Sequence, residues 1–149
     1  MKFIILITTL LSISTSIFAN KFSIDSAHTF IHFKIAHFEV GNVMGRFNKI
    51  SGNFKFDESE EEFTSINIKI ESSSVDTNNK QRDKHLKSSD FFNAETFPTI
   101  TFESVQISKV SKGEYLAKGA LSLNGVSKEV ELPFKYNGHV RDSFGLKRL

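Results

Sequence analysis

The chain has 149 residues, is 39% hydrophobic and 24% charged, and carries a formal net charge of +2. That is one globular domain, not a disordered tail or a fibrous repeat. Cysteine is absent and the basic residues are not clustered, which excludes disulfides, thiolate catalysis and thiolate metal sites and leaves no footprint for nucleic acid.

Residues 1–19, MKFIILITTLLSISTSIFA, begin with Lys2, continue through an apolar run from Phe3 to Leu11 and end on Ala19. This is the pattern of a secretory signal peptide, and the apolar run is shorter than the roughly 20 residues of a membrane span. The folded domain is therefore expected over residues 20–149, in the periplasm or secreted.

From there the dominant period is two. In TFIHFKIAHF, residues 29–38, Ile31, Phe33 and Ile35 share a face. Phe30 and Phe38 then demand packing on the other face, or a bulge. Residues 46–56 read as one strand bent at Gly52. After an acidic turn, FTSINIKIE turns Ile66, Ile68 and Ile70 inward and Asn67, Lys69 and Glu71 outward.

Residues 76–90 change character: Thr77 is placed to cap a short helix whose one large apolar residue is Leu86. Pro98 keeps Phe97 extended. A strand follows with Ile100 and Phe102 and, after a register change, Val105 and Ile107. Tyr115, Ala117, Gly119, Leu121 and Leu123 line one face of the next strand. Asn124-Gly125 is a tight-turn signal. The returning strand offers Val126, Val130, Leu132, Phe134 and Tyr136 inward, with Lys128 interrupting the alternation. About six or seven strands and one short helix, without βαβ alternation, mean an all-β fold, either a small antiparallel barrel or a sandwich.

Chemistry-bearing patterns are sparse. His28, His32, His37, His85 and His139 include no HExxH and no closely spaced trio, so no metal or other cofactor is expected and the histidines read as hydrogen-bonded rim residues. Asp25 with His28, or Asp83 with His85, would make an acid–base pair, but neither has a nucleophile beside it. GxSxG and GxGxxG are absent, so the protein is not expected to be an enzyme. The 16 Phe against 2 Tyr and no Trp have to be packed away or to line something apolar, since Phe fills a wall without asking for hydrogen bonds, and composition leaves both open. Two readings of the helical region stay open. Arg82, Lys84 or Lys87 meets an anionic head group while Phe91 and Phe92 line its tail, or Phe91, Phe92 and Phe97 plug one end of the core.

The stretch Asp25-Ser26-Ala27-His28-Thr29-x-Ile31-x-Phe33-x-Ile35-x-His37 resembles the opening of the YceI-like, lipid/polyisoprenoid-binding family. So do Gly45-Arg46-Phe47, the run Arg82 to Phe92, Phe97-Pro98-Thr99-Ile100-Thr101-Phe102 and Gly119-x-Leu121-x-Leu123-x-Gly125-Val126-x-Lys128. The resemblance implies a lipocalin-like antiparallel β-barrel that binds or carries a long isoprenoid-type lipid, such as a polyprenyl chain or quinone, inside it. It further implies transient membrane contact and a homodimer. It places His28, His37, His85, Asp90 and Phe91 near the ligand or the barrel rim. Together with Phe33, Ile68, Arg82, Phe92 and Phe102 they make the candidate site, with no catalytic residue among them. Family members continue beyond a turn like Asp142-Ser143-Phe144-Gly145, so the resemblance also implies a C-terminally truncated barrel lacking its final strands. The alternatives are a non-binding structural or stress-related module of the same fold, and a small exported enzyme using a His/Asp pair.

Overall fold

The computed structural model describes residues 19–149. Apart from Ala19, the expected leader lies outside the described residues. In chain order the elements are β1 (Asn20–Ser23), β2 (Ile31–His37), β3 (Gly41–Phe47), β4 (Ile50–Asp57) and β5 (Glu62–Glu71). A 3-10 turn (Ser72–Ser74), β6 (Val75–Asp76) and α1 (Lys80–Lys87) follow. The chain then runs through β7 (Thr99–Ser111), β8 (Glu114–Leu123), β9 (Val126–Lys135), β10 (Val140–Arg141) and β11 (Lys147–Arg148).

The lipocalin-like barrel is not formed. The strands make three separate antiparallel sheets: β1-β4-β5-β7-β8-β9, β2-β3-β6 and the small hairpin β10-β11. Closure would require the edge strands β1 and β9 to be paired, and among the described residues neither has a second partner. The residues of β9 suit an edge. Pro133 has no N–H to give, and Lys128, Glu129, Glu131 and Lys135 are all exposed. An open edge at β9 is a property of the sheet and does not by itself mark a chain as cut short.

The period-two reading is otherwise well realised. Gly52, Ile68, Phe102, Leu121 and Lys128 form one row across five strands. Directly opposed residues share a face, so Lys128 stands in the inner row at the open edge and the alternation in β9 never slips. A register shift does fall between Ser104 and Gln106. It turns Val105 out to solvent and returns Ile107 to the half-buried side.

Residues 46–56 are not one strand. Phe47 and Ile50 are both buried, yet an odd spacing of three would put them on opposite faces of a single strand. The chain therefore leaves β3 and starts β4 in the other sheet. The crossing is held by the Asn48 N–H to the Ser74 carbonyl (3.1 Å) and the Lys49 N–H to Ser74 Oγ (3.1 Å). Nor do Phe30 and Phe38 pack on a second face: they are 62% and 83% exposed, Phe38 at the tip of the β2–β3 hairpin.

The core lies where the small sheet and α1 cover one end of the large sheet. Phe47, Val75, Leu86 and Ile100 are buried there, with Ile31, Phe33, Ile70, Phe92 and Leu121 packed against them. Leu86 is the one large apolar residue of α1 and its only buried one. The helix is capped by Asn79, whose side chain accepts from the Arg82 N–H at 3.0 Å, and not by Thr77.

The other end of the large sheet is aromatic. Phe56 is fully buried, 4.6 Å from Phe63 and 4.9 Å from Tyr136 between ring centroids. Phe63 also reaches Phe134 at 5.1 Å. β5 and β9 are three places apart in the sheet, and neighbouring strands sit about 4.8 Å apart. Those rings meet only because the sheet bends there, although it stays open.

Candidate functional site

Two of the Phe residues that composition could not place make an apolar floor at the β1 edge. Phe22 lies directly opposite Phe54 across β1 and β4, and their rings stack at 5.4 Å with planes 13° apart. A cleft of about 550 Å³ opens over them. Ile24, His28 and Thr29 line one side, and Asp142, Phe144, Lys147, Arg148 and Leu149 of the C-terminal hairpin line the other. The size is within the range of small-molecule sites, but the cleft is open to solvent and Phe144, at the hairpin tip, is 86% exposed.

The polar rim is internally paired. His28 Nδ1 lies 3.0 Å from Asp25 Oδ2, and the guanidinium of Arg148 donates to the same oxygen at 3.0 Å. The His28 contact, the Ala27 N–H and Arg148 hold the Asp25 carboxyl below the usual carboxylate range. Lys147 pairs with Glu58 and holds that carboxyl low in the same way. Arg148 Nε also donates to Asp142 Oδ2 at 2.9 Å. The rim therefore has few free charges with which to select a charged ligand.

The residues expected at the site fall in several places. His28 is on the cleft rim, its side chain 83% exposed. Phe33, Phe92 and Phe102 belong to packed regions: Phe33 and Phe92 touch the Phe47 ring at 5.6 and 5.3 Å, and Phe102 is buried. Ile68 is half-buried in the middle row of the large sheet. His37 is exposed at the end of β2, against the Phe38 ring. Arg82 is turned inward, donating from Nε to Thr77 Oγ1 at 2.7 Å and from its terminal nitrogen to the Thr77 carbonyl at 2.8 Å. These bonds fasten the β6–α1 loop.

His85, Asp90 and Phe91 do come together on the surface. His85 Nε2 is 3.1 Å from Asp90 Oδ2, and its ring stands edge-on to Phe91 at 4.9 Å. Asp83, the alternative partner, is taken by the N–H and hydroxyl of Thr77 at 2.8 and 2.6 Å. His28 and His85 thus have separate acidic partners. Of the expected plug, Phe92 packs on the core and Phe97 covers Gly125, while Phe91 is 46% exposed.

These positions overturn carriage of a lipid inside a barrel. The sheets enclose no barrel interior, and two of the rings expected to line it, Phe33 and Phe102, are packing residues. The cleft residues Phe22, Phe54, Phe144, Lys147 and Arg148 were not among the expected site. Their one signal in the sequence is the even spacing of Phe54 and Phe56. The pairing of β1 with β4 and the folding back of the C-terminal hairpin leave no local mark.

Residues 22–148 match the family described as YceI-like domain. The chain belongs to that family. It is 41% identical over 125 residues to a UPF0312 protein of Yersinia enterocolitica, a match covering 84% of this chain and 65% of that protein. It is 39% identical over 137 residues to a UPF0312 protein of Photorhabdus laumondii, covering 91% and 71% respectively. The YceI-like chain thus spans just under two thirds of the length of the Yersinia relative.

Among solved structures it is similar to the Campylobacter jejuni YCEI protein. That likeness has 35% identity and a TM-score of 0.68, and covers 83% of this chain and 72% of that one. It is also similar to BcnA of Burkholderia cenocepacia at 26% identity and a TM-score of 0.69, covering 76% and 72%.

Proposed function

We propose that this YceI-like chain is an exported, non-catalytic protein that takes up an apolar small molecule in the open cleft beside β1. The observation that carries this reading is the Phe22–Phe54 stack, which floors a cleft of about 550 Å³ whose far wall includes Phe144 and Leu149. An aromatic floor attracts apolar or flat unsaturated ligands without demanding hydrogen bonds. The paired rim supports a neutral ligand over an anionic one. Isoprenoid-type molecules, with branched apolar chains, are the class we put first; they would lie against the sheet in contact with solvent. Export is supported by the leader pattern of residues 1–19.

The test is fluorescence titration of the protein with 1-aminoanthracene, followed by displacement with farnesol and with a short-chain quinone. Saturable uptake and displacement are expected. Phe54→Ala and Phe22→Ala should each weaken uptake roughly tenfold, the scale of one lost aromatic contact. Uptake that is not saturable, or that is unchanged from the parent chain in both variants, overturns the reading.

A further inference from the structure

Two asparagines of the chain stand directly before glycine: Asn124-Gly125 and Asn137-Gly138. At such a pair the glycine backbone nitrogen attacks the asparagine Cγ more readily than elsewhere, because no Cβ on the following residue obstructs the approach. The two atoms must still come into near-attack contact. The backbone therefore has to be free to turn, and the two pairs differ in that freedom.

Asn124-Gly125 is held. It closes the β8–β9 hairpin between the paired residues Leu123 and Val126, with φ of 50° and 74°. The Asn124 side-chain nitrogen, the group that would have to leave, donates to the Phe91 carbonyl at 2.8 Å. Gly125 lies under the Phe97 ring. Asn137-Gly138 is not held. Residues 136–139 belong to neither helix nor strand, and Asn137 is exposed. Tyr136 and His139 bracket the pair: the Tyr136 N–H donates to the Gly113 carbonyl at 2.8 Å, and its hydroxyl lies 2.7 Å from His139 Nδ1. Between these brackets, among the described residues, neither the Asn137 side chain nor the Gly138 N–H makes a hydrogen bond. No atom lies within 4 Å of where a Gly138 Cβ would stand.

We propose that Asn137 is a spontaneous deamidation site of the folded chain, and that the fold protects Asn124 from the same reaction. The Gly138 nitrogen loses its proton to water and bonds to Asn137 Cγ. The Cγ–Nδ2 bond breaks and the nitrogen leaves as ammonia, which closes a cyclic imide. Water then opens the imide at either carbonyl, giving its hydroxyl to the carbon and its hydrogen to the nitrogen. The products are aspartate or isoaspartate at 137. Water is the only co-reactant and nothing is oxidised or reduced. Either product places a new carboxylate between Tyr136 and His139, and isoaspartate also lengthens the backbone there by a methylene. At Asn124 the same attack requires the bond to Phe91 and the closed turn to open first, and that opening is a local fluctuation with its own cost.

The full chain is incubated in mildly alkaline buffer, once folded and once in guanidinium chloride, and then digested with trypsin. Cleavage after Lys118, Lys128, Lys135 and Arg141 puts Asn124 in the peptide 119–128 and Asn137 in the peptide 136–141. Mass spectrometry follows the conversion of each. In the folded chain Asn137 should convert about tenfold faster than Asn124, the factor set by opening one hydrogen bond before attack. In denaturant the two rates should converge. Equal rates in the folded chain, or no conversion of Asn137, overturn the proposal. So does a difference that survives in denaturant, which would assign the selectivity to the flanking residues and not to the fold.

Discussion

The ring of Phe33 lies flat against Gly45, its directly opposed partner across β2 and β3. A Cβ at position 45 would stand 2.2 Å from the Cζ of Phe33. The missing side chain is what lets the ring lie down on the strand and reach Phe47 in the core. Gly125 under Phe97 repeats the arrangement, with the nearest ring atom at 2.6 Å. This fold uses Phe as cover for glycine as well as filling for a core, which absorbs part of the Phe excess without any ligand.

Gly45→Ala should therefore destabilise the protein by about 1–3 kcal/mol, the usual cost of overpacking a close contact. The loss belongs to the pair. On a Phe33→Ala background the same change should be nearly neutral. Urea unfolding of the two single variants and the double variant measures this coupling, and equal costs on both backgrounds would contradict it.

Arg82, one of three basic residues offered to a head group in one of the two open readings, gives its guanidinium to Thr77. Thr77 is buried, and its hydroxyl accepts from Arg82 while donating to Asp83. Arg82→Ala leaves the Thr77 carbonyl without this partner and should cost about 1–3 kcal/mol. Uptake of 1-aminoanthracene should be unchanged at temperatures where the variant is folded. Weakened uptake in a fully folded Arg82→Ala protein would return this residue to the ligand.

What could be read from the sequence follows from the range of each interaction. The inward sets of β5 and most of β8 were legible because strand alternation is local; β9 keeps the alternation, but at the open edge Val126 and Leu132 are exposed beside Lys128 and only Val130 and Phe134 of that strand are half-buried. Leu86 was legible as the one apolar residue of its helix. The cap was misread because Thr77 and Asn79 are both good caps. The choice was made by Asp83 and Arg82, which engage Thr77 from within the helix. The break between Phe47 and Ile50 was hidden because a change of sheet depends on Ser74, a distant residue. Barrel closure was inferred from the family resemblance, and no local pattern reports whether two distant edges pair. The cleft was missed for the same reason: Phe22 meets Phe54, and Arg148 meets Asp25, only through long-range contacts.

Asn124 and Gly125 turn the β8–β9 hairpin with φ of 50° and 74°, and the Asn124 side chain donates to the Phe91 carbonyl at 2.8 Å. That bond ties the turn to the loop after α1. Asn124→Asp replaces the donor by a carboxylate facing a carbonyl oxygen. The expected loss is about 1 kcal/mol, with faster amide hydrogen exchange at Phe92 and Ala94 nearby. Unchanged exchange there would show that the tie carries no weight.

The ion pairs that tie the C-terminal hairpin to the body carry their own pH dependence. Glu58 faces Lys147, with His139 and Arg141 close by, and its carboxyl is held low first by the Lys147 contact. Asp25 faces His28 and Arg148, and is held low first by His28. A carboxylate whose pKa falls on folding contributes stability that is present above its unfolded pKa and is lost as pH drops through the lowered value. Their contribution to stability against urea should therefore be level from pH 8 down to about 5 and fall below about pH 4, where free Asp and Glu carboxyls begin to protonate and the paired ones follow. In Glu58→Gln with Asp25→Asn the loss of stability between about pH 5 and about pH 3 should be smaller than in the parent chain. An equal loss in both would show that these two pairs do not contribute to the acid dependence.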